Sequence, residues 1–303
     1  MRIAVTGREG QVAKSLVERA AERPEVELVA VGRPELDLAA PETVAPALAA
    51  VKPDLIVSAA AYTAVDQAED EPEKAYAVNA EGAGKVAEAA ALIGVPVIHI
   101  STDYVFDGAG SGDYREDAPT GPQGVYGASK LAGEKAVAAA QPKHLILRTA
   151  WVYSPFGKNF LKTMLRLASD RDEIAVVSDQ WGNPTSALDI ADGILHAAIL
   201  LRRDRDFAGW GVYHLAGTGA TNWSGFARHI LDTSGRHGGP TARVRDIATA
   251  DYPTRARRPA NSRLATDKFA ETFGWRAPDW RQSTDEVARR LVNDKTGQMQ
   301  KHE

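Results

Sequence analysis

Met1-Arg2-Ile3-Ala4-Val5-Thr6-Gly7-Arg8-Glu9-Gly10-Gln11-Val12-Ala13 is the stretch that decides the fold. A short apolar run enters a glycine turn and then opens into a helical pattern. In a β-α unit of this kind the glycines Gly7 and Gly10 let a pyrophosphate approach the backbone, and the free N–H groups of the helix N-terminus favour its charge. The third small position is Ala13, which still permits close packing of helix on strand. The apolar run is too short for the core of a secretory leader and reads as a first strand. An ordinary strand-to-helix turn could use the same glycines, so the surrounding pattern has to decide.

Outward from this stretch, Val- and Ile-rich runs at 2–6, 26–31, 54–58, 96–100 and 144–148 alternate with helical patterns at about 11–22, 42–50, 72–93 and 126–140. Such alternation predicts an α/β fold, a doubly wound parallel Rossmann sheet with helices on both faces. Leu55-Ile56-Val57 and Val97-Ile98-His99-Ile100 are nearly continuous apolar runs, as expected of central strands covered on both sides. Ligands of such a sheet lie beyond the carboxyl ends of its strands. Residues 1–150 are therefore read as the dinucleotide-binding domain, with a helix over 187–203 returning to it. The rest of 151–303 is read as a smaller C-terminal substrate lobe, with strands near 174–178 and 211–216, a helix near 223–234, a Pro- and Arg-rich loop at 253–263 and two final helices. The polar tail 293–303 is expected to fray.

The chain has 303 residues, 36 basic and 40 acidic side chains and a net charge of -4, which gives no reason to expect nucleic acid or an anionic membrane as partner. The absence of Cys removes disulfides, thiolate catalysis and Cys-ligated zinc, and fits a reducing cytoplasm. The Ala-rich stretches at 83–93 and 132–140 carry Lys and Glu, so no segment reads as a bilayer span.

The residues after each strand carry the chemistry. Ser101-Thr102-Asp103 ends the fourth strand, and Tyr126-Gly127-Ala128-Ser129-Lys130 opens the next helix, where Tyr126 and Lys130 share a face at i and i+4. Hydride attack on a ketone develops alkoxide character, and Tyr126 can supply the proton. Lys130 would favour the phenolate and hold the nicotinamide ribose, while Thr102 would bond the carbonyl oxygen or the phenol. These three are the expected catalytic residues. At the end of strand two, Arg33 suits the 2′-phosphate of NADPH or is a solvated surface charge; NADPH is preferred, with NADH possible. The small residues of Ser58-Ala59-Ala60-Ala61-Tyr62-Thr63 suit a cofactor lying against backbone or a tight helix-strand junction. Arg255, Arg257, Arg258 and Arg263 form the densest positive segment, and as a group they suit a diphosphate. The histidines, scattered on strands and helices, read as structural.

These motifs resemble the extended short-chain dehydrogenase/reductases, and more narrowly the dTDP-4-dehydrorhamnose reductase family. The likeness extends through Ala59-Ala60-Ala61-Tyr62-Thr63-Ala64-Val65-Asp66, Ser101-Thr102-Asp103-Tyr104-Val105-Phe106-Asp107-Gly108, Arg148-Thr149-Ala150-Trp151-Val152-Tyr153, Asn159-Phe160, Asp179-Gln180-x-Gly182-x-Pro184-Thr185 and Arg258-Pro259-x-Asn261-Ser262-Arg263-Leu264. It implies reduction of the 4-keto group of dTDP-6-deoxy-L-lyxo-4-hexulose to give dTDP-L-rhamnose. It assigns Gly10, Gln11, Val12, Asp37, Leu38, Ala61, Tyr62, Thr63, Tyr126 and Lys130 to the cofactor. Thr102, Asp103, Tyr104 and Trp151 are placed at the dTDP-linked sugar, with Asn159, Arg258 and Arg263 expected on the same side. Trp151 without the family reads as packing. Some relatives form a dimer bridged by Mg2+ through an acidic residue early in the first helix; here that place is Ser15 beside Lys14, so no metal is expected and the chain reads as a monomer or homodimer. Two other functions share the fold: an NADP-binding regulatory subunit similar to that of methionine adenosyltransferase, and an epimerase, dehydratase or other dTDP-4-keto-deoxysugar enzyme.

Overall fold

The computed structural model describes residues 1–299. Its centre is a six-stranded sheet built from β1 (Arg2–Thr6), β2 (Glu27–Val31), β3 (Leu55–Ser58), β4 (Val97–Thr102), β5 (His144–Thr149) and the strand Gly211–His214. All neighbours pair in parallel, in the order Gly211–His214, β5, β4, β3, β1, β2. The chain runs outward from β1 to β2, then crosses back to β3, so the order reverses between β1 and β3. A crevice opens at such a switch point, above the carboxyl ends of the strands.

Two apolar layers cover the sheet. On one side Ile3, Val5, Leu55 and Ile98 meet Leu16 of α1 (Gln11–Ala21), Ile190 and Ile194 of the helix Ala187–Arg203, and Phe269 of Asp267–Phe273. On the other, Ala4, Ile56 and Val97 meet Leu48 of α2 (Val44–Val51), Val86 of Ala83–Ile93 and Val137 of Val125–Ala140. The strands are apolar on both faces because both are buried. A separate core joins Tyr153, Leu161, Ile174, Phe226, Ile230, Trp280 and Val287. It lies among the helices Phe160–Ala168, Trp223–Arg236 and Trp280–Met299 and a parallel strand pair, Glu173–Val177 with Arg243–Ile247. No helix among the described residues is long and apolar enough to cross a membrane.

Three local expectations need correction. The single helix expected over 72–93 is Pro72–Tyr76, a π-helical turn at Ala77–Gly82 and then Ala83–Ile93. There the Asn79 side chain bonds both the N–H and the carbonyl of Tyr62, and a π-turn is a usual way to bring one helical side chain to a functional loop. The strand expected over 211–216 ends at His214. The tail expected to fray from Asn293 instead continues the last helix to Met299, since a helix anchored by buried Val287 and Val292 propagates at little cost; residues 300–303 lie outside the described part.

Two glycines set the position of the helix that carries Tyr126. A Cβ on Gly127 would stand 2.2 Å from the Tyr104 carbonyl oxygen, and one on Gly133 would stand 2.0 Å from that of Asn79. Both contacts are with backbone, which cannot swing aside, so only glycine lets the helix seat against the end of β4 and the π-turn. Gly133→Ala is expected to lower stability by about 1–3 kcal/mol in urea unfolding; an unchanged midpoint would mean the helix can retreat freely.

Candidate active site

Thr102 ends β4 and caps the short turn Asp103–Val105, its hydroxyl accepting from Tyr104 N–H at 3.2 Å and donating to Asp103 Oδ1 at 2.9 Å. The Tyr126 phenol lies close enough to Thr102 for that hydroxyl to favour its ionised form, and its ring meets Tyr104 edge-on with centroids 5.6 Å apart. Lys130, one turn further along the helix and 2% exposed, donates to the Ile100 carbonyl at 2.6 Å. Strand end and helix thus place the hydroxyl near the phenol, with the ammonium held at Ile100 of the same strand.

The electrostatics differ from the sequence reading in one respect. Burial pushes the Tyr126 phenol above its ordinary 10.0, with Asp103 and Tyr104 adding to the rise and Thr102 opposing it. Lys130 is not among the groups that shift it; the ammonium is turned to Ile100. The phenol is therefore held protonated, as a proton donor must be. Burial lowers Lys130 from 10.5 to about 8, with Glu134 opposing, and raises Asp103 from 3.8 to about 6. Asp103 Oδ2 is buried without a hydrogen-bond partner, an acceptor left over for a ligand.

The crevice fits a dinucleotide. Gly7 has φ +92° and faces Ala60, Gly10 opens on free space, and no side chain caps the first amides of α1. Gln11, half-buried beside Val12, is fixed because its Oε1 accepts from Ser154 Oγ at 2.8 Å and Asn159 Nδ2 at 2.9 Å. Half-buried Ala61, Tyr62 and exposed Thr63 follow β3, and Tyr62 donates its phenol to Glu71 at 2.8 Å. Beyond β2, Arg33 is exposed, Asp37 accepts from Ala39 N–H within its own turn, and Leu38 is buried against Gly82. Arg8, which sequence reading passed over, reaches the same place: it donates to the Arg33 carbonyl at 3.0 Å and pairs with Glu35 at 2.8 Å.

On the other side of the crevice Trp151 has φ +47°, a conformation rare for a bulky residue, and stacks on Trp223 with centroids 3.6 Å apart while donating Nε1–H to Ser262 at 3.0 Å. Arg258 donates to the Tyr104 phenolic oxygen at 2.9 Å and pairs with Asp66 at 2.6 Å, which ties the arginine loop to Tyr104 and so to the neighbourhood of Tyr126. Next to it a cavity of about 640 Å³ is lined by Asp107, Asp179, Tyr252, Arg255, Arg257 and Arg258.

Two expected sugar-side residues are engaged elsewhere. Asn159 caps the helix Phe160–Ala168 and spends its amide on Gln11 and on the carbonyls of Ser154 and Phe156. Arg263 holds Asn261 and the Ser111 carbonyl rather than joining the other arginines. The arginine cluster itself is divided, with Arg255 on Asp70 and Arg257 on Gln123. Arg255 and Arg257 nonetheless line the same cavity as Arg258.

Sequence reading also missed what lies behind the catalytic group. Glu134 forms a bidentate pair with Arg148 of β5 at 2.9 and 2.7 Å and accepts from Ser101 Oγ at 2.5 Å. The signal was present: Glu134 follows Lys130 at i+4, as Lys130 follows Tyr126. His99 Nε2 lies 3.4 Å from Lys130 Nζ. Among the described residues no group of three or more His, Cys, Asp or Glu could hold a metal ion.

Comparison with known proteins places the chain in a family. The family described as RmlD substrate binding domain matches residues 1–293. A dTDP-4-dehydrorhamnose reductase of Sinorhizobium fredii is 53% identical over 292 residues, 96% of this chain and 97% of that protein, and one of Burkholderia thailandensis is 45% identical over 97% of this chain and 100% of its own. The crystal structure of a dTDP-4-dehydrorhamnose reductase from Bacillus anthracis in complex with NADP superposes with a TM-score of 0.86 at 34% identity, covering 94% of this chain and 98% of that one. By sequence and by fold, the chain belongs to the dTDP-4-dehydrorhamnose reductase family.

Proposed function

We propose that this protein reduces the 4-keto group of dTDP-4-dehydro-L-rhamnose to dTDP-L-rhamnose, with NADPH, or NADH, as reductant. The observation that carries the reading is the convergence of Thr102, Tyr126 and Lys130 at the carboxyl end of β4, beside an uncapped glycine-turn helix. The same convergence favours an enzyme over a regulatory subunit that only binds NADP. A reduced nicotinamide, when bound, supplies the hydride.

The chain's own residues do the rest. Tyr126 gives its phenolic proton to the oxygen on which negative charge develops, and Thr102 fixes the direction of that phenol. Lys130 offers its charge to the nicotinamide ribose. Gly7, Gly10, Gln11 and Val12 take the pyrophosphate, Ala61, Tyr62 and Thr63 flank the dinucleotide, and Asp37 and Leu38 lie toward the adenosine. Arg33, with Arg8 beside it, suits a 2′-phosphate. Asp103, Tyr104 and Trp151 face the sugar, and Arg258 stands where the diphosphate would enter from the cavity. In this reading residues 1–150 and the helix Ala187–Arg203 hold the cofactor, and most of 151–303 holds the sugar nucleotide.

The direct test is oxidation of NADPH by the purified protein with the dTDP-4-keto sugar and identification of the product by NMR; no turnover with that substrate would overturn the assignment. Tyr126→Phe is expected to lower kcat by about 100-fold or more with NADPH affinity within about 3-fold of wild type. Arg258→Ala should raise the sugar-nucleotide KM about 10-fold, the worth of one charge-assisted hydrogen bond, with kcat little changed, whereas Arg263→Ala should move KM less.

Asp103 generates a stability prediction. Its folded-state pKa of about 6 lies above the ordinary 3.8, so the folded chain holds the proton more tightly than the unfolded one. That contribution is complete below pH 3.8 and is lost as pH rises through 6, leaving a buried carboxylate that destabilises the protein at neutral pH. Asp103→Asn keeps the acceptor for Thr102 and is expected to stabilise by on the order of 1–2 kcal/mol at pH 7, a gain that vanishes by about pH 4, while turnover falls. Paired urea titrations at the two pH values measure it.

A further inference from the structure

Behind Lys130 lies a buried polar pair that the reaction described above does not use. His99, on β4, and Ser58, at the end of β3, are each 1% exposed. His99 Nδ1 lies 3.1 Å from Ser58 Oγ, and its Nε2 lies 3.4 Å from Lys130 Nζ. An ammonium carries hydrogens and no lone pair, so it approaches a ring nitrogen favourably only when that nitrogen is unprotonated. One assignment satisfies both contacts: Nδ1–H donates to Ser58, and Nε2 accepts from Lys130. The Ile100 carbonyl takes a second ammonium hydrogen at 2.6 Å, which leaves the third for the ligand side.

We propose that His99 is a positioning residue for Lys130: a neutral imidazole, fixed by Ser58, that works with the Ile100 carbonyl to keep the ammonium charged and aimed into the crevice. The proposal rests on the reading of Lys130 as the group that holds the nicotinamide ribose. A neutral acceptor suits the place, because a carboxylate there would cancel the charge that the ribose contact uses. The charged and titratable groups around Lys130 are few. Tyr126 and Glu134 come from its own helix, Glu134 being neutralised by Arg148 of β5 and held by Ser101 of β4. Asp103 lies past Thr102. The π-turn contributes Asn79, which is bonded to Ser129 at 3.0 Å. Burial and the neighbouring ammonium both push His99 well below 6.5, so it stays neutral across the working range.

The sign of the effect follows. Burial has already lowered Lys130 to about 8, and removing an acceptor removes support for the charged form and lowers it further. The ammonium exists below that pKa, so activity at the alkaline side should be lost earlier. His99→Leu deletes the acceptor and His99→Gln retains one. For His99→Leu the alkaline limb of kcat/KM is expected to move down by about one pH unit, with NADPH affinity about 10-fold weaker at pH 8 and within about 2-fold at pH 6; His99→Gln should recover at least half of the shift. A folded His99→Leu whose alkaline limb and NADPH affinity match wild type would overturn the proposal.

Selective 15N-histidine labelling of the wild type gives a readout independent of both variants and of any sugar substrate. The His99 signal, identified by its nuclear Overhauser contacts to its neighbours on β3 and β4, is expected to be the neutral Nδ1–H tautomer from pH 5.5 to 8. An imidazolium or an Nε2–H tautomer in that range would overturn the proposal even if the variants failed to fold. Absence of NADPH oxidation by the wild type would instead strike the reductase reading and leave the tautomer result standing.

Discussion

The site depends on one buried ion pair. Glu134 and Arg148 have side chains only 4% and 5% exposed, and their bidentate contact joins the helix that bears Tyr126 and Lys130 to β5, while Ser101 brings β4 onto the same carboxylate. Proton delivery tolerates little misplacement between donor and acceptor, and in the proposed site the donor Tyr126 comes from a helix while Thr102 comes from a strand. Apolar packing of Val137 against the sheet holds that helix down but does not fix its slide along the strand. A charged fork with two parallel hydrogen bonds does. Such a pair adds little net stability, because desolvation of both charges offsets most of their attraction, but losing either partner would leave an unpaired charge in the core. Its role is geometric, and the glycines at 127 and 133 serve the same end by letting the helix sit against backbone.

Around this pair the charges are graded rather than uniform. The Glu134 carboxylate is paired with Arg148 and also supports the Lys130 ammonium against burial, Lys130 leans further on the Ile100 carbonyl, and burial raises Asp103 to about 6. Each step toward the crevice leaves a group less completely satisfied than the one behind it, until Asp103 Oδ2 has no partner at all. Unmet hydrogen-bonding capacity is costly in a core and useful at a site, where a ligand completes it. The gradient runs from structural polar groups to functional ones within two turns of one helix and the end of one strand.

Much of this was legible in the chain. β1, β3, β4 and β5 and the helix of Tyr126 fall where periodicity places them, because a strand covered on both faces must be apolar throughout and a helix at a switch point must begin with glycine. The placement of Tyr126 and Lys130 one turn apart on one helix was legible for the same local reason, since i and i+4 share a helix face. What stayed hidden were groups whose partners are distant in sequence. Nothing near His99 says that Lys130 will lie over it, and nothing near Asn159 says that its amide will be consumed by Gln11. The break at Ala77–Gly82 was hidden too, since its cause is the Tyr62 peptide reached by Asn79 rather than any helix-breaking residue within the segment.

The arginine segment shows why local charge density is a weak guide to a binding site. Four guanidinium groups within a few residues look like one anion receptor; Arg255, Arg257 and Arg258 do line one cavity, but each is already paired, with Asp70, Gln123 and Asp66, and Arg263 holds the loop at Ser111 instead. Arg258 also reaches the Tyr104 phenol, and its neighbour Pro259 packs over Gly108, where a Cβ would stand 2.4 Å from it.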